Sequence, residues 1–346
     1  MNHDPLLVVN PKVECRTCSE VKTGILASCG VCGKNPKPCP VCEKRIEQEK
    51  GECKECGGTG SRAVDLCGLW APSAAFLVCG GPSLNKLPYD RLGEKGVASL
   101  AVNNVAGYTK ASAWVFSDPQ SKFHHGLFLD PKILTFAPLG KLKRKVRAKL
   151  PDGTFRDVRT RVRDCPGTLG FSRRTEFDAS TFLTTRFAHW GRGGKQEENN
   201  RPFMCLCTML LGIRLLHYLG CPRVYMLGVD FLMTDDAQYS FGQTAGVKNG
   251  RYAKENAMLA ELKPVFDKEG FQLFNCNQES GCDVFPKVNF EQAFEDCKGG
   301  VPEEPFDLTE WYSKKILKRD QEKFPNQISV GKLMEVQKSS KNKESE

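Results

Sequence analysis

Six short apolar runs punctuate the middle of the chain, at residues 74–79, 98–102, 113–116, 133–136, 224–227 and 271–274. Each holds four to six residues with no polar alternation, as strands buried on both faces of a parallel sheet do. Between the last two, residues 252–268 have a helical pattern that Pro264 is expected to bend or end. Residues 203–219 are a long apolar stretch whose strongly polar members are Arg214 and His217, the pattern of a buried helix packed on a sheet.

Strands alternating with helices predict an α/β fold: a doubly wound, mostly parallel, Rossmann-like sheet over residues 63–300. From residue 301 to 346 prolines and charges dominate, with a helix expected over 308–323 and a disordered tail after Gln337. No apolar run reaches the ~18 residues that a membrane span needs. Hydrophobic residues at 40% and charged residues at 26% exclude a wholly disordered or collagen-like chain.

Residues 1–62 have a different texture. Eight of the 17 cysteines fall here as four C-x2-C pairs: Cys15 and Cys18, Cys29 and Cys32, Cys39 and Cys42, Cys53 and Cys56. Zinc takes four ligands in a tetrahedron, and a C-x2-C turn supplies two thiolates. Four such turns predict a module of two four-cysteine sites holding two structural zinc ions, paired either in sequence or nested. A disulfide framework competes, but residues 1–10 lack the basic and long apolar segments of a secretion signal, so a reducing, cytoplasmic setting is expected. The stretch Cys53-Lys-Glu-Cys56-Gly-Gly-Thr-Gly60 resembles the repeat of DnaJ-type cysteine-rich regions. Residues 1–66 carry ten Lys or Arg and nine Asp or Glu, a formal +1. Two zinc-tetrathiolate sites at about −2 each bring the metallated module to about −3. That charge suits docking on the rest of the chain or on a protein partner better than tracking phosphates.

The formal charge of the chain is +9, and residues 141–164 hold most of it, with ten Lys or Arg against three Asp, or +7. Pro151-Asp-Gly-Thr154 is a turn signal within that segment, and the alternation of Arg159, Arg161 and Arg163 would put three guanidinium groups on one strand face. A basic β-hairpin inserted in the sheet domain is expected, suited to nucleic acid, another polyanion or a phosphorylated substrate.

Candidate chemistry begins at Phe76-Leu-Val-Cys-Gly-Gly-Pro-Ser-Leu84. A strand runs into Gly80 and Gly81, which admit a close ligand, then into Pro82 and Ser83 at an expected helix start, where unpaired amides attract phosphate. Three later strands also end in polar residues: Ala101-Val-Asn-Asn104, Trp114-Val-Phe-Ser-Asp-Pro119 and Met226-Leu-Gly-Val-Asp-Phe231. In this order the motifs resemble a superfamily that includes bacterial sialyltransferases using a CMP-sugar. Its other branch comprises motility-associated glycosyltransferases and 6-hydroxymethylpterin pyrophosphokinase-like proteins. The resemblance spans residues 74–294 and includes Leu273-Phe-Asn-Cys-Asn-Gln-Glu-Ser-Gly281 and Val284-Phe-Pro-Lys287.

That resemblance implies a nucleotide or nucleotide-sugar donor, with a phosphate on Gly80, Gly81, Pro82 and Ser83, Asn103 on the nucleotide, and Asp118 and Asp230 at the pocket. Departures are visible: Gly80 replaces the family's asparagine, Leu232 replaces its first tyrosine, and Tyr239 stands one place from its second. No histidine occurs in Lys248-Asn-Gly-Arg-Tyr-Ala253, where the family's base would lie. Transfer to an acceptor hydroxyl needs a base, and a departing phosphate needs positive charge. His189, in the glycine-rich 187–194 segment, and His124 and His125 are candidates for the base, and Arg251 and Tyr252 for the leaving phosphate. The expectation is a nucleotide-dependent, glycosyltransferase-like enzyme acting on an anionic acceptor, nucleic acid or glycan. A pyrophosphokinase or nucleotidyl-transfer enzyme with magnesium on Asp118 and Asp230 is one alternative. A non-catalytic nucleotide- or nucleic-acid-binding protein is the other.

Overall fold

A computed structural model describes residues 7–9, 63–64, 66–130, 132–149, 155–171, 177–184, 207–233, 239–241 and 249–301. Its strands are β1 (Leu7–Val9), β2 (Ala63–Val64), β3 (Ala75–Val78), β4 (Ser99–Val102), β5 (Ala113–Val115), β6 (Leu134–Pro138), β7 (Lys145–Lys149), β8 (Phe155–Arg161), β9 (Thr168–Phe171), β10 (Arg223–Leu227) and β11 (Gln272–Asn275). All six apolar runs are strands. They and β9 form the parallel part of one sheet in the order β11-β10-β3-β4-β5-β6-β9, and β1 and β2 add antiparallel to the β9 edge. β9 escapes a search for apolar runs because Thr168 and Gly170 interrupt its Thr-Leu-Gly-Phe sequence.

Alternation along the strands divides the core between the two faces. Leu77, Leu100, Val102, Val224 and Met226 face α3 (Thr208–Tyr218) and α4 (Asn249–Lys268). Phe76, Val78, Ala101, Trp114 and Leu227 face α1 (His125–Leu129), α2 (Leu139–Leu142) and α5 (Phe290–Cys297). Within α3, Leu210, Leu211, Ile213, Leu215 and Leu216 are fully buried, each contributing about 1.5–3 kcal/mol of transfer free energy. Among the described residues no helix is long and apolar enough to cross a membrane.

Two expectations change. Pro264 does not end its helix: α4 continues to Lys268. Leu262 and Phe266 anchor the helix on both sides of the proline, while Ala260, whose carbonyl loses its amide partner, lies at the exposed surface where water can replace it. Residues 141–164 do contain an antiparallel ribbon, β7 with β8, in which Lys145 stands opposite Arg161 and Arg147 opposite Asp157. Arg163, however, leaves the strand for the 3-10 turn Val162–Asp164, with a side chain 13% exposed and its Nε 3.9 Å from Asp164. It does not share a strand face with Arg159 and Arg161. The sheet also includes β1, paired with β9 and β2, so along the chain the cysteine pairs fall between two paired strands. The paired cysteines themselves, His189, and the helix and tail expected after residue 301 lie outside the described residues.

Candidate functional site at the carboxyl edge

The chain lays down β3, β4, β5, β6 and β9 in one direction, then returns to place β10 on the other side of β3 and β11 beyond it. The strand order therefore reverses between β3 and β10. Ligands of open α/β sheets bind outside the carboxyl ends of strands at such a reversal. Here those ends are Cys79-Gly-Gly81 after β3 and Gly228-Val-Asp230 after β10, and the two loops are locked together. The Cys79 amide donates to Leu227 O at 2.8 Å and the Gly81 amide to Gly228 O at 2.9 Å.

This close approach requires both glycines. A Cβ on Gly81 would lie 2.5 Å from Gly228 O and 2.6 Å from the Asp230 carboxylate. Gly228 has φ +63°, and a Cβ there would overlap Cys79 O. Gly80 meets side chains instead, chiefly the Phe241 ring.

Pro82 opens a 3-10 turn, Pro82–Lys86. Ser83 does not cap it with its own oxygen. The Asp230 carboxylate accepts from the Ser83 amide at 2.8 Å, from the Ser83 hydroxyl, and from Asn277 Nδ2 at 2.9 Å. The amides of Gly81 and Ser83 are thus engaged within the protein. Segment 273–281 cradles the same loop: Asn275 Nδ2 donates to Val229 O at 3.0 Å, Ser280 Oγ to Val229 O at 2.6 Å, and the Gly281 amide to Asp230 O at 2.7 Å. Lys287 Nζ in turn donates to the carbonyls of Gln278 and Ser280, at 2.8 and 3.2 Å. Both late motifs therefore serve to hold Asp230 in place.

The edge continues across β4 and β5. Asn103 adopts φ +53°, and its side chain accepts from the Ser117 amide at 3.1 Å and donates to Thr208 Oγ1 at 3.3 Å. Its carbonyl accepts from Trp114 Nε1 at 2.9 Å. Phe231 adopts φ +52°, so both positive-φ residues other than glycine among the described residues sit on this edge. Such conformations persist where the surroundings fix them, often at functional sites. Asp118 pairs with Lys122 at 3.1 Å.

Over this floor stand aromatic rings and the start of α4. Tyr239 stacks on Phe241, which stacks on Tyr108, with centroids 5.3 and 4.7 Å apart. Tyr252 stacks on Phe231 at 5.2 Å. Arg251 Nε donates to Glu255 at 2.6 Å; Arg251 is exposed and Glu255 buried. Burial, reinforced by the Glu255 and Asp230 charges, raises the Cys79 thiol well above its ordinary range, and burial beside Glu255 does the same to Cys207. Neither is a ready thiolate nucleophile. Burial also raises the Tyr239 hydroxyl, with Asp118 adding and Arg251 and Lys122 opposing. Tyr239 thus lies within electrostatic reach of three other edge residues.

The structure therefore brings Gly80, Gly81, Pro82, Ser83, Asn103, Asp118, Asp230, Tyr239 and Arg251 to one edge. His124 instead caps α1, its Nδ1 accepting from the Gly126 amide at 3.1 Å. His125 is buried in the core, and His217 packs its ring edge-on against Phe271 at 5.0 Å. Both oxygens of Asp230 accept from protein donors and Asp118 is tied to Lys122, which suits bracing the edge and not chelating magnesium. Among the described residues no three His, Cys, Asp or Glu side chains gather as a metal cage. Sequence reasoning missed Ser117, Thr208, Glu255 and Asn277. Glu255 was accessible through spacing, since it shares the inward stripe of Met258, Leu262 and Phe266 at helical intervals.

No protein-family model matches the sequence, and no curated protein matches it. Among solved structures, the chain is similar to the sialyltransferase CstII from Campylobacter jejuni, determined with the substrate analogue cytidine-5'-monophosphate. The identity is 13%, the match covers 74% of this chain and 98% of that one, and the TM-score is 0.34. Neither the fold nor the site described above rests on an overlap of that degree.

Proposed function

We propose that the carboxyl edge at the β3–β10 reversal binds a nucleotide and that the protein is a nucleotide-dependent transferase of the glycosyltransferase type. The observation that carries this reading is the convergence, at the reversal, of the loop after β3 with the polar ends of β4, β5, β10 and β11. Asn103 and Asp118 are assigned to the nucleoside side. Arg251, in the first turn of α4 and steadied by the buried Glu255, is assigned to the departing phosphate, where a helix N-terminus adds favourable potential. A donor phosphate resting on Ser83 would share that residue with the Asp230 carboxylate, so Arg251 carries more of the charge compensation in this assignment.

The experiment is a melting-temperature screen of nucleoside mono- and diphosphates and nucleotide sugars, followed by assay of nucleotide release from any sugar donor that binds. Stabilisation by a nucleotide sugar and release of its nucleotide support the reading. Magnesium-dependent release of AMP from ATP would replace it with pyrophosphoryl transfer, and stabilisation by no nucleotide would refute it.

A further inference from the structure

The connection from β6 to β9 would ordinarily be a helix. Here it is α2 followed by the β7–β8 ribbon, whose Val146 and Val158 are buried in one cluster with Phe116, Phe123 and Phe128. One face of the ribbon thus does a crossover helix's work. Along β7 and its approach, Lys143, Arg144, Lys145 and Arg147 are exposed. Lys145 faces Arg161 directly across the ribbon, an arrangement that costs stability through like-charge repulsion. Among the described residues no carboxylate pairs with Lys143, Arg144 or Lys145. Exposed positive charge of this density is an electrostatic footprint for a polyanion.

Its location makes it part of the site. The segment leaves the sheet at the carboxyl end of β6, and β7 packs on α1 and on the turn Gln120–Lys122, which follows Asp118 at the carboxyl end of β5. The cationic approach therefore adjoins the edge assigned above to the nucleotide.

We infer that the exposed face of the β7–β8 ribbon binds duplex nucleic acid through its phosphates and presents it to the carboxyl edge as the acceptor. The acceptor role rests on the transferase reading; the binding itself does not. A two-stranded ribbon anchored on one face and cationic on the other has the dimensions that the major groove of a duplex admits, with phosphates on both sides. Binding carried by Lys and Arg on phosphates is strongly salt-dependent.

The test measures binding of the full-length protein to a labelled 20-base-pair duplex, the matching single strand and a sulfated polysaccharide, between 50 and 200 mM salt. The probes are the wild type, a variant combining Lys143→Ala, Arg144→Ala and Lys145→Ala, and a control combining Lys268→Ala and Lys298→Ala. Each phosphate contact contributes about 0.9 to the log–log salt slope, so the triple variant should lose about 2.7 from the slope. Over that fourfold salt range the wild type then weakens about 40-fold more than the variant, while the control behaves as wild type. An unchanged slope in the triple variant, or no duplex binding by the wild type, overturns the inference. Equal affinity and slope for the polysaccharide overturn it in favour of an anionic glycan, and preference for the single strand overturns the ribbon-in-groove geometry. A nucleotide-induced rise in melting temperature, measured on the same proteins, tells failure of the ribbon from failure of the nucleotide site.

Discussion

Ser83 and Asp230, 147 positions apart in the chain, are joined twice: the Asp230 carboxylate accepts from both the amide and the hydroxyl of Ser83. This contact staples the loop after β3 to the loop after β10 across the reversal of strand order. Hydrogen bonds to a charged acceptor contribute about 1.5–3 kcal/mol each and are not additive. Asp230→Ala should therefore destabilise by about 3 kcal/mol and Ser83→Ala, which keeps the amide bond, by about 1.5 kcal/mol. In a double-mutant cycle read by urea unfolding the two should couple; additive losses would mean that the hydroxyl contact contributes nothing.

Asn103 separates backbone strain from side-chain bonding. Its φ of +53° suits glycine better than alanine, while its amide bonds Ser117 and Thr208. Asn103→Ala should lose both the bonds and the tolerated conformation, about 2–3 kcal/mol in all. Asn103→Gly should lose only the bonds and be the more stable variant by about 1 kcal/mol. Thermal unfolding of the pair checks the order, and alanine equal to or better than glycine would contradict the geometry.

Acid stability has an identifiable contributor at the start of β10. Arg223 donates two hydrogen bonds to Asp296, at 2.6 and 2.7 Å, and the Tyr225 hydroxyl donates a third at 2.7 Å. The Arg223 hydrogen bond, aided by Tyr225, holds the Asp296 carboxyl below its ordinary value of 3.8. A depressed folded-state value contributes stability that is complete above the unfolded value and is lost as pH falls through the folded one. Asp296→Asn should therefore be less stable than wild type near neutrality, with the difference shrinking below about pH 4. Urea unfolding at several pH values would show it, and a pH-independent difference would rule out this linkage.

Much of this edge was legible in sequence because it obeys one local rule: an apolar strand ending in a polar residue. That rule located Asn103, Asp118 and Asp230 and applies equally to Asn277, two residues past β11. The partnership of Ser83 with Asp230 was not legible, since it depends on β10 returning beside β3, a tertiary choice that no spacing encodes. Pro264 does not end α4 because local propensity is outweighed by burial of Leu262 and Phe266. Arg163 misled because a strand period was extended past the residue where the strand ends.

The four C-x2-C pairs make a prediction independent of the sheet. Metal analysis of protein purified under reducing conditions should give two zinc atoms per chain, and removing them should release eight thiols to titration. Zinc content near zero would contradict the assignment.

The central claim is that a nucleotide occupies the carboxyl edge at the β3–β10 reversal. Amide hydrogen exchange with and without the nucleotide that raises the melting temperature most would test it directly. Protection should concentrate in residues 79–84, 103–108, 117–122 and 229–233. Protection confined to other segments, or exchange unchanged at saturating nucleotide, would contradict it.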